Sequence, residues 1–365
     1  MTHLKSYLSE FFYFSLFLSS ILIGWFFPKK DIYINVPFTK FRGGPKRFVD
    51  NLSESSNLKF TNWNLSRVKK SLILYKSWGR SYFTASRLMG IKNILRVDGF
   101  YVPEDQNNET YQLSYSERSN INKNIKLNLE LSDYIIYQSY FSRERIEQYF
   151  KISPKNSSII YNGVNTNLFK PHSFEKNGLK IVTVGLFYIK NLRLLIEVFE
   201  KIRENNTDLN ISLTIIGSYR NGKEISFKHM QDLLKDKKKI NDITIYHSVS
   251  LKQLPDILNR NNVYIHTKIG DWCPNSVLEA MSCGLPVICP SWGGTKELVG
   301  DAGAICQSKE WVCDDALIDQ MALDTIRIYK NLNEFSLKSR RRILDNFDLE
   351  KSLKEYTKIL SFDGP

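Results

Sequence analysis

The chain contains few cysteines: five among 365 residues, with no Cys-x-x-Cys pair and no histidine cluster beside them. An odd number of cysteines without such motifs argues against a disulfide framework and against a zinc site, and it favours a reducing compartment. Glycine and proline are also scarce, at 18 and 11 residues. These counts exclude collagen-like and low-complexity sequence. The chain is therefore expected to fold around hydrophobic cores without covalent or metal staples.

Acidic residues are under-represented: 38 of them face 51 lysines and arginines, which gives a formal net charge of +13. This excess favours an anionic partner, which could be a phosphate ligand, a lipid headgroup or a nucleic acid. The basic residues are spread along the chain, and Arg340–Arg342 forms a compact run. We predict no nucleic-acid partner, because such a partner needs a basic stripe with interleaved aromatic residues.

One long apolar run lies at the start of the chain. Residues 11–27 carry no charge, and they are flanked by Lys5 and by Lys29 and Lys30. As a helix the run would be roughly 26 Å long, slightly short of a hydrocarbon core of about 30 Å. Membrane contact through residues 7–27 is predicted, with a helix packed against the protein itself as the alternative. If the run spans a bilayer, the basic residues that follow it would place the rest of the chain on the cytoplasmic face.

After residue 30, short β-branched runs alternate with amphipathic segments, which is typical of parallel βαβ units. The length and the 42% hydrophobic content favour two domains. Polar sequence with proline and glycine at residues 170–178 is the predicted linker. The predicted fold is α/β, with two doubly wound Rossmann-like domains at residues 31–172 and 178–340. The hydrophobic segment 1–30 precedes them, and a C-terminal helix at residues 341–365 follows.

The β-branched runs mark the expected strands. In the first domain they are Ile32–Val36, Leu72–Tyr75, Ile94–Val97, Tyr134–Tyr137 and Ser158–Tyr161. In the second they are Lys180–Val184, Ser212–Ile216, Thr244–Tyr246, Val263–His266, Pro286–Cys289 and Ala304–Cys306. Ligands of such domains bind at the C-terminal ends of parallel strands, so the loops that follow these strands are candidate sites.

The segment at residues 271–299 is the most informative part of the sequence. Pro274 is suited to open a helix, since its missing N–H is one that a first turn leaves unpaired. The backbone N–H groups of Asn275 and Ser276 would then lie at the positive end of the helix dipole, which suits a phosphate or diphosphate. Glu279 is placed on the first turn of that helix, where its carboxylate could accept hydrogen bonds from ribose hydroxyls. The alternative is that Glu279 only interacts with the dipole.

Four segments follow one another in an informative order: SDYIIYQSYFS, SSIIYNGVNTNLFKP, KIVTVGLFYIKNLRLLIEVFEKI and CPNSVLEAMSCGLPVICPSWGGTKELV. Together they resemble the motifs of the retaining glycosyltransferases of family four, also called glycosyl transferases group 1. The resemblance covers roughly residues 31–361 and is densest from Ser132 onward. It implies the GT-B fold, in which two Rossmann-like domains face each other across a cleft and the C-terminal helices cross back to the first domain.

The resemblance assigns roles to two acids and to the backbone between them. The family's pair of acids, separated by seven residues, falls on Asp271 and Glu279, and Asp271 is one methylene shorter than the usual glutamate. Glu279 would hold the ribose of a donor nucleotide. Asp271 would contact the transferred sugar and stabilise its reacting centre. Backbone groups of Asn275, Ser276 and Val277 would contact the sugar and the diphosphate.

The family's basic pair after the first strand of the donor domain is half present. Lys190 matches the lysine of that pair and would contact phosphate oxygens as a point charge, with simple solvation as the alternative. Leu186 or Phe187 stands where an arginine is usual. Another cation, such as Arg193, would have to replace it.

Two further elements are carried over in the first domain. Gly43 and Gly44 lie in a loop that resembles the family's glycine-rich loop, where they would let the backbone approach the donor phosphates. An ordinary turn is the alternative. The segment ILRVDGFY matches the place where family members carry a His or Asp facing the reacting sugar. Asp98 and Arg96 are the catalytic candidates there, with a turn built on Asp98 and Gly99 as the alternative.

The activity implied by the resemblance is transfer of a sugar from a nucleotide-diphosphate donor to an acceptor, with the anomeric configuration retained. The acceptor would be a glycan, a lipid-linked molecule or another group. No metal and no cofactor are expected, because the nucleotide sugar is itself a substrate. Two alternatives stay open: a nucleotide-sugar epimerase of the same fold, and a basic nucleic-acid-directed protein.

Overall fold

The computed structural model describes residue 15 and residues 31–34, 44–61, 68–74, 80–102, 114–172, 177–219, 223–235 and 237–361. These residues divide into two compact units. The first unit comprises the described residues of 1–102, 113–161 and 350–365, and the second those of 162–349. The first division therefore falls between Tyr161 and Asn162, ahead of the segment 170–178 that the sequence suggested as a linker. Each unit carries one parallel sheet.

The sheet of the first unit is parallel in all its pairings. Its strands are β1 (Ile32–Ile34), β2 (Phe60–Thr61), β3 (Lys70–Ile73), β4 (Lys92–Val97), β5 (Tyr134–Tyr137) and β6 (Ser157–Ile159). They are ordered β2-β1-β3-β4-β5-β6. The helices of this part of the chain are α1 (Gly44–Ser55), α2 (Arg80–Leu88), α3 (Tyr115–Leu131) and α4 (Tyr140–Phe150). Leu72, Ile94 and Ile136 are completely buried, as expected for strands that are covered on both faces.

The sheet of the second unit is also parallel. Its strands are β7 (Leu179–Phe187), β8 (Ile211–Tyr219), β9 (Ile243–Tyr246), β10 (Val263–Ile265), β11 (Val287–Pro290) and β12 (Ala304–Cys306). They are ordered β12-β11-β10-β7-β8-β9. Counted within the unit, this is the Rossmann order, which reverses between β7 and β10. The predicted α/β architecture with two Rossmann-like sheets is confirmed.

The helices of the second unit cover this sheet. They are α5 (Ile189–Glu204), α6 (Phe227–Leu233), α7 (Leu254–Asn259), α8 (Asn275–Ser282), α9 (Thr295–Val299), α10 (Asp315–Lys330) and α11 (Leu332–Asn346), with a 3₁₀ helix at Lys237–Asp242. A last helix, α12 (Leu349–Leu360), ends the described chain. On α5, Leu192, Leu195 and Phe199 repeat at helical spacing and are completely buried. That spacing produces the apolar face that packs into the core.

The last helix returns the chain to the first unit, since residues from Glu350 onward group with it. The Nζ of Lys70 on β3 donates to the carbonyl oxygens of Ile359 and Ser361 at 2.7 and 2.8 Å. The Nε of Arg96 on β4 donates to the hydroxyl of Tyr356 at 3.0 Å. Because a cation stabilises the negative end of a helix dipole, Lys70 fixes the end of α12 against the first unit's sheet.

β7 and β8 are longer than the sequence pattern predicted, because both strands continue beyond a glycine. Gly185 and Gly217 are paired across the two strands. Gly217 has a φ of +136°, and a Cβ there would lie 1.9 Å from the carbonyl oxygen of Gly185. This close approach requires glycine. The pairing therefore extends to Phe187, which brings β7 directly to the start of α5.

Arg340, the first residue of the basic run, is engaged in internal hydrogen bonds. Its Nη1 donates to the carbonyl oxygens of Phe169 and Ser282 at 2.8 and 2.7 Å and to the hydroxyl of Ser282 at 2.9 Å. Its Nη2 donates to the carbonyl oxygen of Thr166 at 3.0 Å. One guanidinium thus joins the segment after Tyr161 to the end of α8.

Arg342 is engaged in the same way, whereas Arg341 is not buried. Arg342 donates to the carbonyl oxygens of Leu298 and Glu297 at 2.7 and 2.8 Å, which lie in α9. The Arg341 side chain is 85% exposed, with its Nε 3.6 Å from Asp345 Oδ2. Two of the three arginines therefore have a role in holding this unit together, which the sequence did not reveal.

The apolar segment at residues 11–27 lies outside the described residues except for Ser15. Among the helices that the structure describes, none is long and apolar enough to cross a bilayer. Membrane contact through residues 7–27 therefore stays a prediction.

Candidate functional site

The carboxyl ends of β7 and β10 are neighbours at the centre of the second unit's sheet. β7 leads through Tyr188 into α5, and β10 leads through the loop at residues 266–274 into α8. In Rossmann-type sheets, ligands bind at the point where the strand order reverses, outside the carboxyl ends of the strands. Six predicted site residues lie on these two connections: Lys190, Asp271, Asn275, Ser276, Val277 and Glu279.

The start of α8 has the features that the sequence predicted. Its first residue is Asn275, directly after Pro274, and no side chain in the described part of the chain caps it. The N–H groups of Asn275, Ser276 and Val277 are among those that a helix start leaves without an intrahelical partner. Asn275 and Ser276 are partly exposed, whereas the Val277 side chain is buried. This helix start suits a bound anion.

Glu279 lies deeper in α8 than predicted. It is the fifth residue of the helix, so its placement on the first turn was wrong. Its side chain is on the buried face and only 6% of the residue is exposed. Dipole effects are concentrated in the first turn, so this position disfavours the dipole-only alternative for Glu279. A buried carboxylate near the helix start can accept hydrogen bonds from ligand hydroxyls.

Tyr264 joins β7 and β10 to the start of α8, which the sequence did not indicate. Its hydroxyl donates to the carbonyl oxygen of Val184 at 3.0 Å and lies 3.0 Å from Ser276 Oγ. Burial raises the pKa of Tyr264, and the charges of Glu279 and Asp271 act in the same direction. Tyr264 is therefore neutral, and its hydroxyl oxygen can accept a hydrogen bond from the Ser276 hydroxyl and so orient it. A tyrosine within a short apolar strand looks like a core residue in the sequence.

Asp271 lies on the loop before α8 with polar groups around its carboxylate. Oδ1 accepts hydrogen bonds from Lys268 Nζ at 2.9 Å and from the N–H of Trp272 at 3.0 Å. Oδ2 lies 3.5 Å from His266 Nε2. Burial alone would raise the pKa of Asp271, but Lys268, His266 and the Trp272 N–H outweigh it and lower that pKa. Asp271 is therefore ionised at neutral pH.

His266 is uncharged beside this carboxylate. Its side chain is 7% exposed, and its ring lies at 18° to the ring of Tyr264 with the centroids 6.5 Å apart. Burial lowers the pKa of His266 to about 4. Lys268 therefore supplies the positive charge next to Asp271 at neutral pH. Sequence reasoning missed both residues, although a lysine three positions before the candidate acid was visible.

Lys190 is the second residue of α5 and is exposed to solvent. The next residue, Asn191, donates from Nδ2 to the carbonyl oxygen of Thr267 at 2.8 Å. This bond fixes the start of α5 against the loop that carries Asp271. The structure thus places Lys190 at the same edge of the sheet as the start of α8.

The two residues that stand where the family usually has an arginine, Leu186 and Phe187, are both apolar. Phe187 is buried in the core, and the side chain of Leu186 lies outside the described residues. Arg193 is exposed on α5, about one turn after Lys190.

Arg96 and Asp98 lie at and just after the carboxyl end of β4 in the first unit. Arg96 Nη1 and Gln138 Nε2 both donate to Asp98 Oδ1. Burial raises the pKa of Asp98, although both donors act against that rise. Arg96 also lies over the ring of Phe48, with 4.6 Å between the guanidinium carbon and the ring centroid. Because Arg96 also donates to Tyr356, it joins Asp98 to α12.

The predicted glycine-rich loop falls largely outside the described residues. Gly43 lies there, whereas Gly44 is the first residue of α1. The roles assigned to both glycines therefore stay predictions.

The cysteines do not contribute a recognisable reactive group. All five are free thiols, and burial raises the pKa of Cys289 to about 12. Among the side chains that the structure describes, no group of three or more His, Cys, Asp or Glu residues could hold a metal ion.

The sequence model of the family described as glycosyl transferases group 1 matches residues 164–346, just over half of the chain. The chain belongs to this family. The resemblance found in the sequence is thereby confirmed, and the epimerase alternative is not supported. The matched residues of this group 1 glycosyltransferase include the whole site between β7 and α8.

The curated relatives are similar to this chain over part of their own length. The gpi3 subunit of phosphatidylinositol N-acetylglucosaminyltransferase from Schizosaccharomyces pombe is 27% identical over 183 residues, covering 49% of this chain and 38% of that protein. A probable sucrose-phosphate synthase from Thermosipho melanesiensis is 27% identical over 234 residues, covering 61% and 51%. The group 1 glycosyltransferase thus spans about two fifths to one half of the length of these relatives.

Solved structures share the fold over nearly the whole chain. Sucrose-phosphate synthase from Thermosynechococcus elongatus has a TM-score of 0.69 at 14% identity, covering 91% of this chain and 98% of that chain. HepE from Anabaena, solved with UDP and glucose, has a TM-score of 0.66 at 12% identity, covering 92% and 100%. At these identities the likeness shows the fold alone, and that fold is GT-B.

Proposed function

We propose that this group 1 glycosyltransferase moves a sugar from a nucleotide-diphosphate donor to an acceptor. The observation that carries the proposal is the position of Asp271 and Glu279. The two acids flank the start of α8, at the point where a Rossmann-type sheet reverses its strand order. A helix start at this point suits a diphosphate, and the family match supports a sugar-transferring role.

Each group of the second unit then has a task in the transfer. Glycosyl transfer develops positive charge on the sugar and negative charge on the leaving diphosphate. The N–H groups at the start of α8, together with Lys190, would stabilise the leaving charge, and such preorganised electrostatic stabilisation is usually the largest contribution to catalysis. Ionised Asp271 would stabilise the positive sugar. Glu279 would accept hydrogen bonds from the ribose.

In the first unit, Asp98 and Arg96 are the proposed catalytic pair. Arg96 would act by holding Asp98 through the hydrogen bond to Oδ1. Gly43 and Gly44 would let the backbone approach the donor phosphates. These assignments come from the family's motifs, residue by residue.

Incubation of the purified chain with UDP-glucose, UDP-N-acetylglucosamine, GDP-mannose and ADP-glucose tests the proposal. We expect slow hydrolysis of at least one donor, because water can replace a missing acceptor. We also expect that an α-linked donor gives an α-linked product once an acceptor is found, since the family retains configuration. Nuclear magnetic resonance of the anomeric proton measures both. EDTA should leave the rate unchanged, because the proposed transfer needs no metal.

Absence of nucleotide binding, measured by calorimetry with UDP, GDP and ADP, would contradict the donor site itself. A product of inverted configuration would leave the donor site in place but contradict the retaining chemistry. Inversion would also require a positioned general base.

We further propose a lipid-linked acceptor and membrane contact on the cytoplasmic face. The name of the Schizosaccharomyces pombe relative includes phosphatidylinositol, which suggests a lipid acceptor for this chain as well. The apolar residues 11–27 and the basic residues after them support membrane contact. Anionic headgroups would add about 1 kcal/mol for each Lys or Arg held near the bilayer.

Sedimentation with membranes tests the membrane contact. The complete chain is expected to pellet with membranes at low salt, because burial of residues 7–27 in lipid is favourable. A version that begins at Lys29 is the control and should stay in the supernatant while still hydrolysing donor. A complete chain that remains in the supernatant without detergent would instead support the packed-helix alternative.

A further inference from the structure

The backbone of Asp271 is held in place from a neighbouring loop. The N–H of Gly294 donates to the carbonyl oxygen of Asp271 at 2.7 Å. Gly293, with a φ of +144°, lies so close that a Cβ would be 3.2 Å from both the N and the O of Asp271. Glycine permits this approach. Asp271 therefore has a fixed backbone, and only its side-chain orientation remains to be set.

Lys268 and the Trp272 N–H set that orientation. Both donate to Oδ1 of Asp271, at 2.9 and 3.0 Å. Oδ2 is directed toward His266 Nε2, which has no hydrogen-bond partner among the described residues. Two donors on one oxygen and an imidazole near the other leave the carboxylate little freedom to rotate.

Lys268 also favours the ionised state of Asp271. The groups that act on the pKa of Asp271 are Lys268, His266 and the Trp272 N–H. Tyr264 on β10 is neutral because burial raises its pKa, and its own pKa responds to Asp271 and to Glu279 on α8. His266 is uncharged at neutral pH, since burial lowers its pKa to about 4. In the described part of the chain, Lys268 is therefore the one cation that stabilises ionised Asp271.

We propose that Lys268 is a positioning residue for Asp271, holding the carboxylate in the orientation that stabilises the transferred sugar. The proposal rests on the proposed function. An aspartate side chain is one methylene shorter than the family's usual glutamate. The orientation of the Asp271 carboxylate therefore matters more for reaching the sugar. Lys268 acts through Asp271 and is not itself required to touch the donor. Its side chain is 34% exposed, so a direct phosphate contact is the rival role that the experiment has to separate.

The experiment compares the complete wild-type chain with Lys268→Met, Lys268→Arg, Asp271→Asn and the double variant Lys268→Met/Asp271→Asn. Affinity for UDP is measured by calorimetry, because UDP lacks the sugar that Asp271 would contact. Hydrolysis of UDP-glucose and UDP-N-acetylglucosamine is measured across pH. Lys338→Met is the matched control, since Lys338 forms an ion pair of 2.6 Å with Glu334 on α11.

Lys268→Met is expected to lower kcat roughly tenfold, a fraction of the loss that a misplacement of 1 Å can cause, while the affinity for UDP stays within about twofold. The acid limb of its pH profile should move to higher pH. Lys268 holds the Asp271 pKa down, so without Lys268 the carboxylate becomes protonated at a higher pH. Lys268→Arg should restore most of the activity. The double variant should be no slower than Asp271→Asn, because Lys268 acts through Asp271.

Two results would overturn the proposal. If Lys268→Met weakens UDP binding and its effect adds to that of Asp271→Asn, Lys268 is an independent phosphate-binding cation. If kcat and the acid limb are unchanged, the Lys268–Asp271 bond only stabilises the loop. In both cases wild-type binding and hydrolysis persist, whereas failure of the proposed function would abolish wild-type binding of nucleotides.

Discussion

Glu279→Ala is expected to weaken UDP binding at least about a hundredfold. Glu279 is 6% exposed on α8, near the helix start where the diphosphate is proposed to bind. Its carboxylate would accept hydrogen bonds from the two ribose hydroxyls, each worth about 1.5–3 kcal/mol for a charged acceptor. Loss of both corresponds to at least about a hundredfold in dissociation constant. Calorimetry with UDP measures the change directly.

Glu279→Gln tests the effect of the negative charge separately from the effect of side-chain size. Glutamine keeps the size of the side chain and one acceptor oxygen, so about tenfold weaker binding is expected. Glu334→Ala on α11 is the control, because Glu334 is 59% exposed and lies outside the proposed site. Circular dichroism has to show that each variant is folded. UDP binding by Glu279→Ala at wild-type strength would mean that the ribose lies elsewhere.

Much of the second unit's fold could be predicted because its strands are buried on both faces. Val263, Tyr264 and Ile265 are completely buried, and such short apolar runs are typical of parallel sheets. The extension of β7 and β8 could not be predicted in the same way. It depends on Gly185 and Gly217 meeting across two strands, and glycine within a run normally suggests that a strand ends or bulges. β2 has two residues, which is too short to show an alternation of apolar and polar side chains.

The candidate site was predictable where the signal is local. Pro274 and the acid pair lie within one short segment, and the structure places them around the start of α8. Lys268 was missed because its contact with Asp271 depends on how the loop folds. Arg340 was missed for a different reason: its partners lie as far away as Thr166, 174 residues along the chain. Local patterns carry no information about such contacts.

Arg340→Met is expected to lower the free energy of unfolding of the second unit by about 3 kcal/mol or more. The guanidinium donates to the carbonyl oxygens of Thr166, Phe169 and Ser282, and hydrogen bonds from a charged group are worth about 1.5–3 kcal/mol each. Methionine retains the apolar stem but leaves these carbonyl oxygens without the donor. For a unit of this size the melting temperature should fall by roughly 6–12 °C. Urea and thermal unfolding, followed by circular dichroism, measure both quantities.

Arg341→Met provides the matched control for this prediction. Arg341 is 85% exposed and is 3.6 Å from Asp345, so its replacement should change the stability by less than about 0.5 kcal/mol. Arg340→Lys should be intermediate, because an ammonium keeps the charge but cannot direct a planar fork at several carbonyl groups. Since Arg340 holds the end of α8 through Ser282, Arg340→Met should also weaken UDP binding more than Arg341→Met does. Equal stability of the Arg340→Met and Arg341→Met variants would show that the four hydrogen bonds of Arg340 contribute nothing beyond solvation.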